Sequence, residues 1–153
     1  MKFLLNCTVL VYLGQMNSDL LRHVEACATE AVVREAGFHL DALTLEQLLA
    51  GVDRVPSFSF GKTDGFLSQT DLELAELAAR HPFFLVTDDK KLRAHCRSKK
   101  GKAVDLPHWI EYLCQREQVP KDVAMAALRG LLNRYNRRNT VRKILRRLEE
   151  MKK

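Results

Sequence analysis

The chain has 153 residues, enough for one compact domain with a short appendage. Hydrophobic residues make up 46% and charged residues 29% of it, a globular composition that excludes disordered and fibrous classes. The net charge of +6 is uneven: residues 129–153 carry ten Lys or Arg and two Glu, a local charge of +8, whereas the first 128 residues carry −2. A mildly acidic body with a basic tail indicates a polyanionic partner.

The four cysteines stand far apart and form no CxxC pair, so neither a disulfide framework nor a zinc ribbon is predicted. The apolar amino terminus superficially resembles a secretory signal, but Asn6 and Thr8 interrupt it and no cleavage site follows. No other segment is apolar for the length of a membrane span. We therefore expect a reduced, cytoplasmic protein that contacts no membrane.

The first half of the chain predicts a short buried strand over residues 2–6 and the beginning of a helix over 8–14. A cap cluster at 17–19 is followed by helically spaced apolar residues up to Gly37, which predicts one long helix. A short helix is predicted over 44–51. Residues 54–65, rich in Ser, Gly and Lys, predict a loop.

The second half continues with a capping box at Thr70 and Glu73, which begins a helix running to about residue 80. The remaining predicted elements are a strand at 83–86, a helix at 90–98, a strand at 103–106, two helices with Pro107 and Pro120 in their first turns, and a helix at 138–151. Short apolar strands alternating with helices predict an α/β fold, a parallel sheet covered by helices.

Ligands of open parallel sheets bind beyond the carboxyl ends of the strands. Asn6 follows the first predicted strand, and Asp88 and Asp89 follow the strand at 83–86. Glu46 and Asp71 lie near helix starts that could face the same crevice. Oxygen-rich side chains converging there would suit Mg²⁺ or Mn²⁺, which a few carboxylates, waters and substrate phosphate oxygens hold.

Each of these residues also has a simpler interpretation. Asp71 alone is typical of an acid in the first helical turn, where the helix dipole favours it. Asp88 and Asp89 alone are typical of a turn and a helix cap, and Glu46 of a solvated helix face. The functional interpretation depends on all of them together.

Four segments carry a family resemblance: FLLNCTVL at 3–10, TLEQLL at 44–49, TDLELAELA at 70–78 and FLVTDDKKL at 84–92. In this order and spacing they resemble PIN-domain ribonucleases. The resemblance covers about residues 2–113 and implies a three-layer α/β/α domain, to which we assign residues 1–131. The charge and apolar pattern that follow predict a basic amphipathic helix over 132–153. The resemblance also implies a metal-dependent endoribonuclease that hydrolyses RNA phosphodiester bonds with Mg²⁺ or Mn²⁺.

The family's site residues carry over onto Asn6, Glu46, Asp71 and Asp89 as catalytic positions. Glu46, Asp71 and Asp89 would hold the metal, with Asp88 as an alternate or auxiliary acid. Many members of the family are toxins of toxin–antitoxin pairs, which adds an antitoxin protein and a second copy of the chain as candidate partners.

Asn6 departs from the family pattern, which has an Asp at this place. An amide offers a neutral oxygen in the same shape but removes one negative charge from the metal site, so we expect much reduced activity. Two explanations stay open: an Asp replaced to silence a toxic nuclease, or a natural lineage with weakened chemistry. The alternative functions are a catalytically lapsed scaffold that binds RNA or a protein without cleavage, and a nuclease directed at DNA.

The carboxy-terminal helix has an apolar stripe that would pack on the body or a partner, with its basic face solvated. The same basic face could follow an RNA backbone without reading its sequence, and a membrane-surface helix is a third alternative. The candidate RNA-binding residues are Arg138, Arg142, Lys143, Arg146 and Arg147.

Overall fold

The computed structural model describes residues 2–16, 18–56, 68–80 and 83–151. Its centre is a sheet of five parallel strands in the order β3-β2-β1-β4-β5. The strands are β1 (Lys2–Leu5), β2 (Ala26–Thr29), β3 (Val52–Val55), β4 (Phe83–Val86) and β5 (Lys102–Val104). The strand order reverses at β1, whose neighbours are β2 on one side and β4 on the other. This reversal is the topological switch point at which open α/β sheets bind ligands.

Helices flank the sheet and complete three layers, which confirms the predicted α/β/α architecture. The helices of the described residues are α1 (Cys7–Gln15), α2 (Glu30–Ala36), α3 (Ala42–Leu49), α4 (Gln69–Arg80), α5 (Lys90–Ser98), α6 (Leu106–Gln115), α7 (Lys121–Leu132) and α8 (Arg138–Glu150). Phe3 of β1 packs against Trp109 of α6 with ring centroids 5.3 Å apart, in a core that excludes both side chains from solvent.

The prediction of one long helix up to Gly37 is wrong. Residues Leu20–His23 form a 3₁₀ turn, Ala26–Thr29 form β2, and only Glu30–Ala36 are α-helical. All four residues of β2 are buried, and a strand buried on both faces lacks the alternation that identifies strands in sequence. Thr29 ends the strand and begins α2, since its hydroxyl accepts a hydrogen bond from the Val32 amide. Asn17 of the predicted cap cluster lies outside the described residues.

The predicted loop at 54–65 is also corrected, because Val52–Val55 form the edge strand β3. Its middle residues, Asp53 and Arg54, are exposed, so the segment has little of the apolar character that marks the other strands. The part of that predicted loop from residue 57 onward lies outside the described residues.

The order of elements predicted for the second half is confirmed, with two corrections. The strand predicted at 103–106 is β5 at Lys102–Val104, because Asp105 caps the next helix. The predicted capping box at Thr70 and Glu73 is wrong, because Ser68 accepts the Asp71 amide and Thr70 donates to Glu35.

The strand at 83–86 and the helix at 90–98 have the predicted bounds. Pro107 stands in the first turn of α6, whereas Pro120 precedes α7 as its N-cap residue. Helix α8 covers 138–150 and buries its apolar stripe against α6 and α7; the buried side chains are Val141, Ile144, Leu145 and Leu148.

Candidate functional site

Asn6 occupies the carboxyl end of the central strand β1, and its side chain is 7% exposed. Since β1 pairs with β4, Asn6 lies beside Thr87, and its Nδ2 donates a 2.6 Å hydrogen bond to Thr87 Oγ1. Its Oδ1 accepts a 3.1 Å hydrogen bond from the Val9 amide and so caps the amino terminus of α1. Both polar atoms of the amide are therefore engaged within the fold.

Asp89 is the N-cap of α5, directly beyond the carboxyl end of β4. Its Oδ1 accepts hydrogen bonds from the amides of Lys91 (2.9 Å) and Leu92 (3.2 Å). The Asp89 amide donates to Thr87 Oγ1 at 3.2 Å, the same hydroxyl that Asn6 contacts. Thr87 thus joins the ends of two neighbouring strands and places Asn6 and Asp89 side by side.

Asp71 lies in the first turn of α4, and its amide donates to Ser68 Oγ at 3.1 Å. Burial raises the pKa of Asp71, and the negative charges of Asp89 and Glu35 raise it further. Thr70 donates a 2.8 Å hydrogen bond to Glu35 Oε1 and so ties α2 to the beginning of α4. Glu35, Asp71 and Asp89 therefore form an acid cluster in which each carboxylate lies within electrostatic reach of Asp71.

Glu35 is the residue of this cluster that sequence reasoning missed. It also contributes, after burial, to raising the pKa of Cys7, the residue that follows Asn6, to about 11. Glu46, the acid predicted for this role, is exposed on α3, and among the described residues no hydrogen bond or ion pair links it to the cluster. The structure thus brings Asn6, Asp71 and Asp89 together, adds Glu35, and leaves Glu46 outside.

Asp88 has a different environment from Asp89. Its side chain is 14% exposed, and its Oδ1 accepts hydrogen bonds from the Leu106 amide (3.0 Å) and the Tyr135 hydroxyl (2.7 Å). The guanidinium of Arg137 lies 3.4 Å from the same oxygen. Through Oδ1, Asp88 therefore fixes the start of α6 and the connection between α7 and α8. Its Oδ2 is buried without a hydrogen-bond partner among the described residues, so the predicted auxiliary role at the acid cluster would fall to that oxygen.

Arg137 connects Asp88 with a second buried carboxylate. Its Nη1 lies 3.1 Å from Oδ2 of Asp105, the N-cap residue of α6, and its Nη2 donates to the Tyr135 hydroxyl oxygen. Burial and then the hydrogen bond to Asp88 raise the pKa of Tyr135, so the phenol stays protonated and donates. We call Asp88, Asp105, Tyr135 and Arg137 the C-terminal latch, because they bind the start of α8 to the carboxyl edge of the sheet.

The latch predicts a loss of stability in acid. Burial alone would raise the pKa of Asp105, but hydrogen bonds from His108 and the charges of His108 and Arg137 outweigh it and lower that pKa. A carboxyl group with a lowered folded-state pKa stabilises the fold above its unfolded-state pKa of about 3.9 and loses this contribution as pH falls through the folded value. Asp105→Asn, which keeps a capping side chain, should therefore make the melting temperature depend less on pH below about 5. An unchanged dependence in melts across that range would contradict the assignment.

The candidate RNA-binding residues lie on the exposed side of α8, opposite its buried stripe. Arg147 differs from the others, because its Nε and Nη2 bind the two oxygens of Glu111 at 2.7 and 3.0 Å. This bidentate pair raises the pKa of Arg147 and neutralises much of its charge locally. No carboxylate within the described ranges pairs with Arg138, Lys143 or Arg146. We call Arg138, Arg142, Lys143 and Arg146 the basic stripe.

The acid cluster has the hard oxygen donors that Mg²⁺ and Mn²⁺ prefer. Within the part of the chain that the structure describes, no three His, Cys, Asp or Glu side chains converge closely enough to hold one ion. The arrangement suits an ion that keeps several waters and uses one or two carboxylates together with substrate phosphate oxygens, as Mg²⁺ commonly does. It does not suit an ion enclosed by protein ligands alone.

Two solved structures share this fold. PAE2754 from Pyrobaculum aerophilum superposes with a TM-score of 0.61 at 18% identity, over 75% of this chain and 90% of that chain. SSO1118, a PilT N-terminus domain protein from the hyperthermophilic archaeon Sulfolobus solfataricus P2, gives a TM-score of 0.56 at 13% identity over 100% of this chain and 98% of that chain. At these identities the likeness establishes the fold: the chain is a PIN-like α/β/α domain.

Sequence comparisons add no closer relationship, since no family model and no curated protein matches the chain. None of the described helices is long and apolar enough to cross a membrane.

Proposed function

We propose that this chain is a metal-dependent endoribonuclease of the PIN type whose activity Asn6 weakens. The observation that carries the proposal is the acid cluster, in which Asp71 experiences the negative charge of Asp89 and Glu35 at the switch point of the sheet. Carboxylates within electrostatic reach of one another repel, and a divalent cation between Asp71 and Asp89 would relieve that repulsion. The PIN-like fold supports the same interpretation.

Asp71 and Asp89 are the residues that would hold Mg²⁺ or Mn²⁺, with Glu35 orienting a water at the same site. When bound, such an ion activates water and neutralises the charge that develops on a phosphodiester under attack. The amides at the amino terminus of α5 already engage Asp89 Oδ1 and keep its carboxylate at the end of β4. At the centre, Asn6 contributes only a neutral oxygen, which lowers the affinity of the site for a cation.

The hydrogen bonds of Asn6 within the fold favour a second candidate function. This is a catalytically lapsed scaffold that binds RNA or a protein without cleavage. The Oδ1 of Asn6 caps α1 and its Nδ2 donates to Thr87, so Asn6 already has a structural role and offers the site no negative charge in place of the missing carboxylate. A place in a toxin–antitoxin pair would fit either candidate. The antitoxin, or a second copy of the chain, would then cover the acidic crevice.

The decisive experiment compares this chain with its Asn6→Asp variant on a mixed RNA substrate with Mn²⁺. We expect the variant to cleave and EDTA to stop it. The substitution suits the site, because Asp accepts the Val9 amide as Asn does, and the Thr87 hydroxyl can turn from acceptor to donor. RNA binding by both proteins without cleavage by either would instead establish the lapsed scaffold. A DNA oligonucleotide of the same sequence tests whether the activity requires RNA.

A further inference from the structure

We infer that the C-terminal latch is a positioning device, which holds the basic stripe of α8 as a track for the RNA strand that enters the acid cluster. The inference deepens the proposed function and rests on its assignment of RNA as the ligand. It gives Asp88 Oδ1 a role of its own, because this oxygen acts through Tyr135 and Arg137.

The C-terminal latch lies at the same edge of the sheet as the acid cluster. Asp88 directly precedes Asp89, so the Tyr135 and Arg137 side chains that bind Asp88 reach the same edge of the sheet as the acid cluster. Helix α8 begins at Arg138, the residue after Arg137. The first cation of the basic stripe is therefore fixed at the edge where the proposed chemistry takes place.

The basic stripe runs along one side of α8. Arg138, Arg142 and Arg146 are spaced by four residues and lie on one ridge of the helix, with Lys143 beside them. From residue 138 to residue 146 the helix rises about 12 Å, so the stripe can contact more than one phosphate at once. The opposite side of α8 is packed against α6 and α7, which turns the stripe toward solvent, and the latch fixes the end of the helix at the carboxyl edge of the sheet.

The arginines of the latch and of the Glu111 pair differ from those of the basic stripe in how their charge is compensated. Arg137 lies between the carboxylates of Asp88 and Asp105, so its charge is already satisfied within the latch. Arg147 is likewise paired with Glu111. Arg137 and Arg147 therefore stabilise the fold through carboxylate partners, whereas the charged groups of the basic stripe are exposed to solvent. Arg142 donates a hydrogen bond to the neutral side chain of Asn139, but none of the stripe's cations has a carboxylate partner among the described residues. Exposed cations without carboxylate partners are the groups that exchange counterions for RNA phosphates.

The first test measures RNA binding by this chain in EDTA, without cleavage, as a function of salt. The stripe variant carries Arg138→Gln, Arg142→Gln and Arg146→Gln. The matched control carries Lys2→Gln, Lys100→Gln and Lys102→Gln, which removes the same charge from exposed lysines at or just before the starts of β1 and β5. We expect the stripe variant to lower the salt slope by up to about 2, at about 0.7 per phosphate, and the control to change it by far less.

The second test distinguishes positioning from structural support. Tyr135→Phe removes the hydroxyl that binds Asp88 and keeps the ring. This test contains Mn²⁺, through which the acid cluster would hold a phosphate. At a temperature where all variants are folded, Tyr135→Phe should weaken binding of an oligonucleotide of about twelve nucleotides but not of one of about four. It should also reduce the effect of the stripe substitutions, because an unpositioned track no longer acts together with the acid edge.

Equal effects of the stripe and control variants would overturn the inference, as would strictly additive effects of Tyr135→Phe and the stripe substitutions. Failure of the nuclease proposal gives a different result: RNA binding that depends on the stripe, with no cleavage by the Asn6→Asp variant in Mn²⁺. Absence of any RNA binding by the unmodified chain would refute the track itself.

Discussion

Asp71→Asn, introduced into the Asn6→Asp protein, is expected to reduce Mn²⁺-dependent RNA cleavage by about a hundredfold or more. The same substitution is expected to raise the melting temperature. Burial and two neighbouring acids raise the pKa of Asp71, so its charged form is disfavoured in the folded state. A carboxyl group with a raised folded-state pKa costs stability at pH values above that pKa, and the neutral amide removes the cost. Cleavage assays and thermal melts on one sample measure both effects.

If Asp71→Asn raises the stability of the protein and lowers its activity, then Asp71 is retained for function rather than for folding. A helix-terminal acid with only a local role would behave differently: its replacement would leave cleavage unchanged and would lower the melting temperature slightly. The two interpretations of Asp71 that the sequence leaves open are therefore separated by the two measurements together, the sign of the stability change and the loss of cleavage.

Glu35 and Glu46 provide a comparison within the same assay. Glu35→Gln keeps an acceptor for Thr70 but removes the charge that acts on Asp71, so it should reduce cleavage. Glu46→Gln, on the exposed surface of α3, should not. The reverse result would restore the assignment that the sequence resemblance implies and would exclude Glu35 from the site.

Strands β1 and β4 could be predicted from the sequence because each is an apolar run that ends at polar residues. Residues 83–86 are wholly apolar and are followed by two acids, so both the strand and the site at its end are evident. Asn6 is found in the same way, since a polar residue ends the apolar run of β1. These two strands are neighbours in the sheet, and the pairing of Leu5 with Val86 then brings the predicted site residues together.

The place of Glu35 in the acid cluster could not be predicted, because it depends on strand β2, which has no recognisable strand pattern in the sequence. The four residues of β2 are Ala, Cys, Ala and Thr, and their spacing from the flanking apolar residues also fits a helix. Interpreting residues 17–37 as one helix removes the strand end that would have drawn attention to α2. The signal that could have found it is Thr29, a capping residue six positions before Glu35 that marks the beginning of a separate helix.

The latch could not be predicted for another reason: it joins residues far apart in sequence. Asp88 and Tyr135 are separated by 47 positions, and Arg137 contacts Asp105 across 32. Nothing in the local pattern of 133–137 distinguishes it from an ordinary connection between helices. Only the packing of α8 against α6 and α7 brings Arg137 to the two carboxylates.

Arg137→Ala is expected to lower the free energy of unfolding by about 2 kcal/mol, less than the loss of a partner in a fully buried pair because its side chain is 37% exposed. The cause is the pair of carboxylates left behind, since Asp88 and Asp105 are 14% and 7% exposed. Arg22→Ala is the control, because the ion pair of Arg22 with Asp19 lies in solvent, and it should change stability by about 0.5 kcal/mol or less. Urea unfolding measures each value.

The origin of the loss can be tested in the same series. If the uncompensated carboxylates cause it, Asp105→Asn should restore part of the stability of Arg137→Ala, since one of the two stranded charges is removed while the cap of α6 is kept. If the lost side-chain packing of Arg137 over the Tyr135 ring causes it, the second substitution should give no recovery. Recovery would identify the latch as an electrostatic clamp, in which Arg137 bridges two buried acids, with His108 also bound to Asp105, and thereby fixes α8 at the carboxyl edge of the sheet.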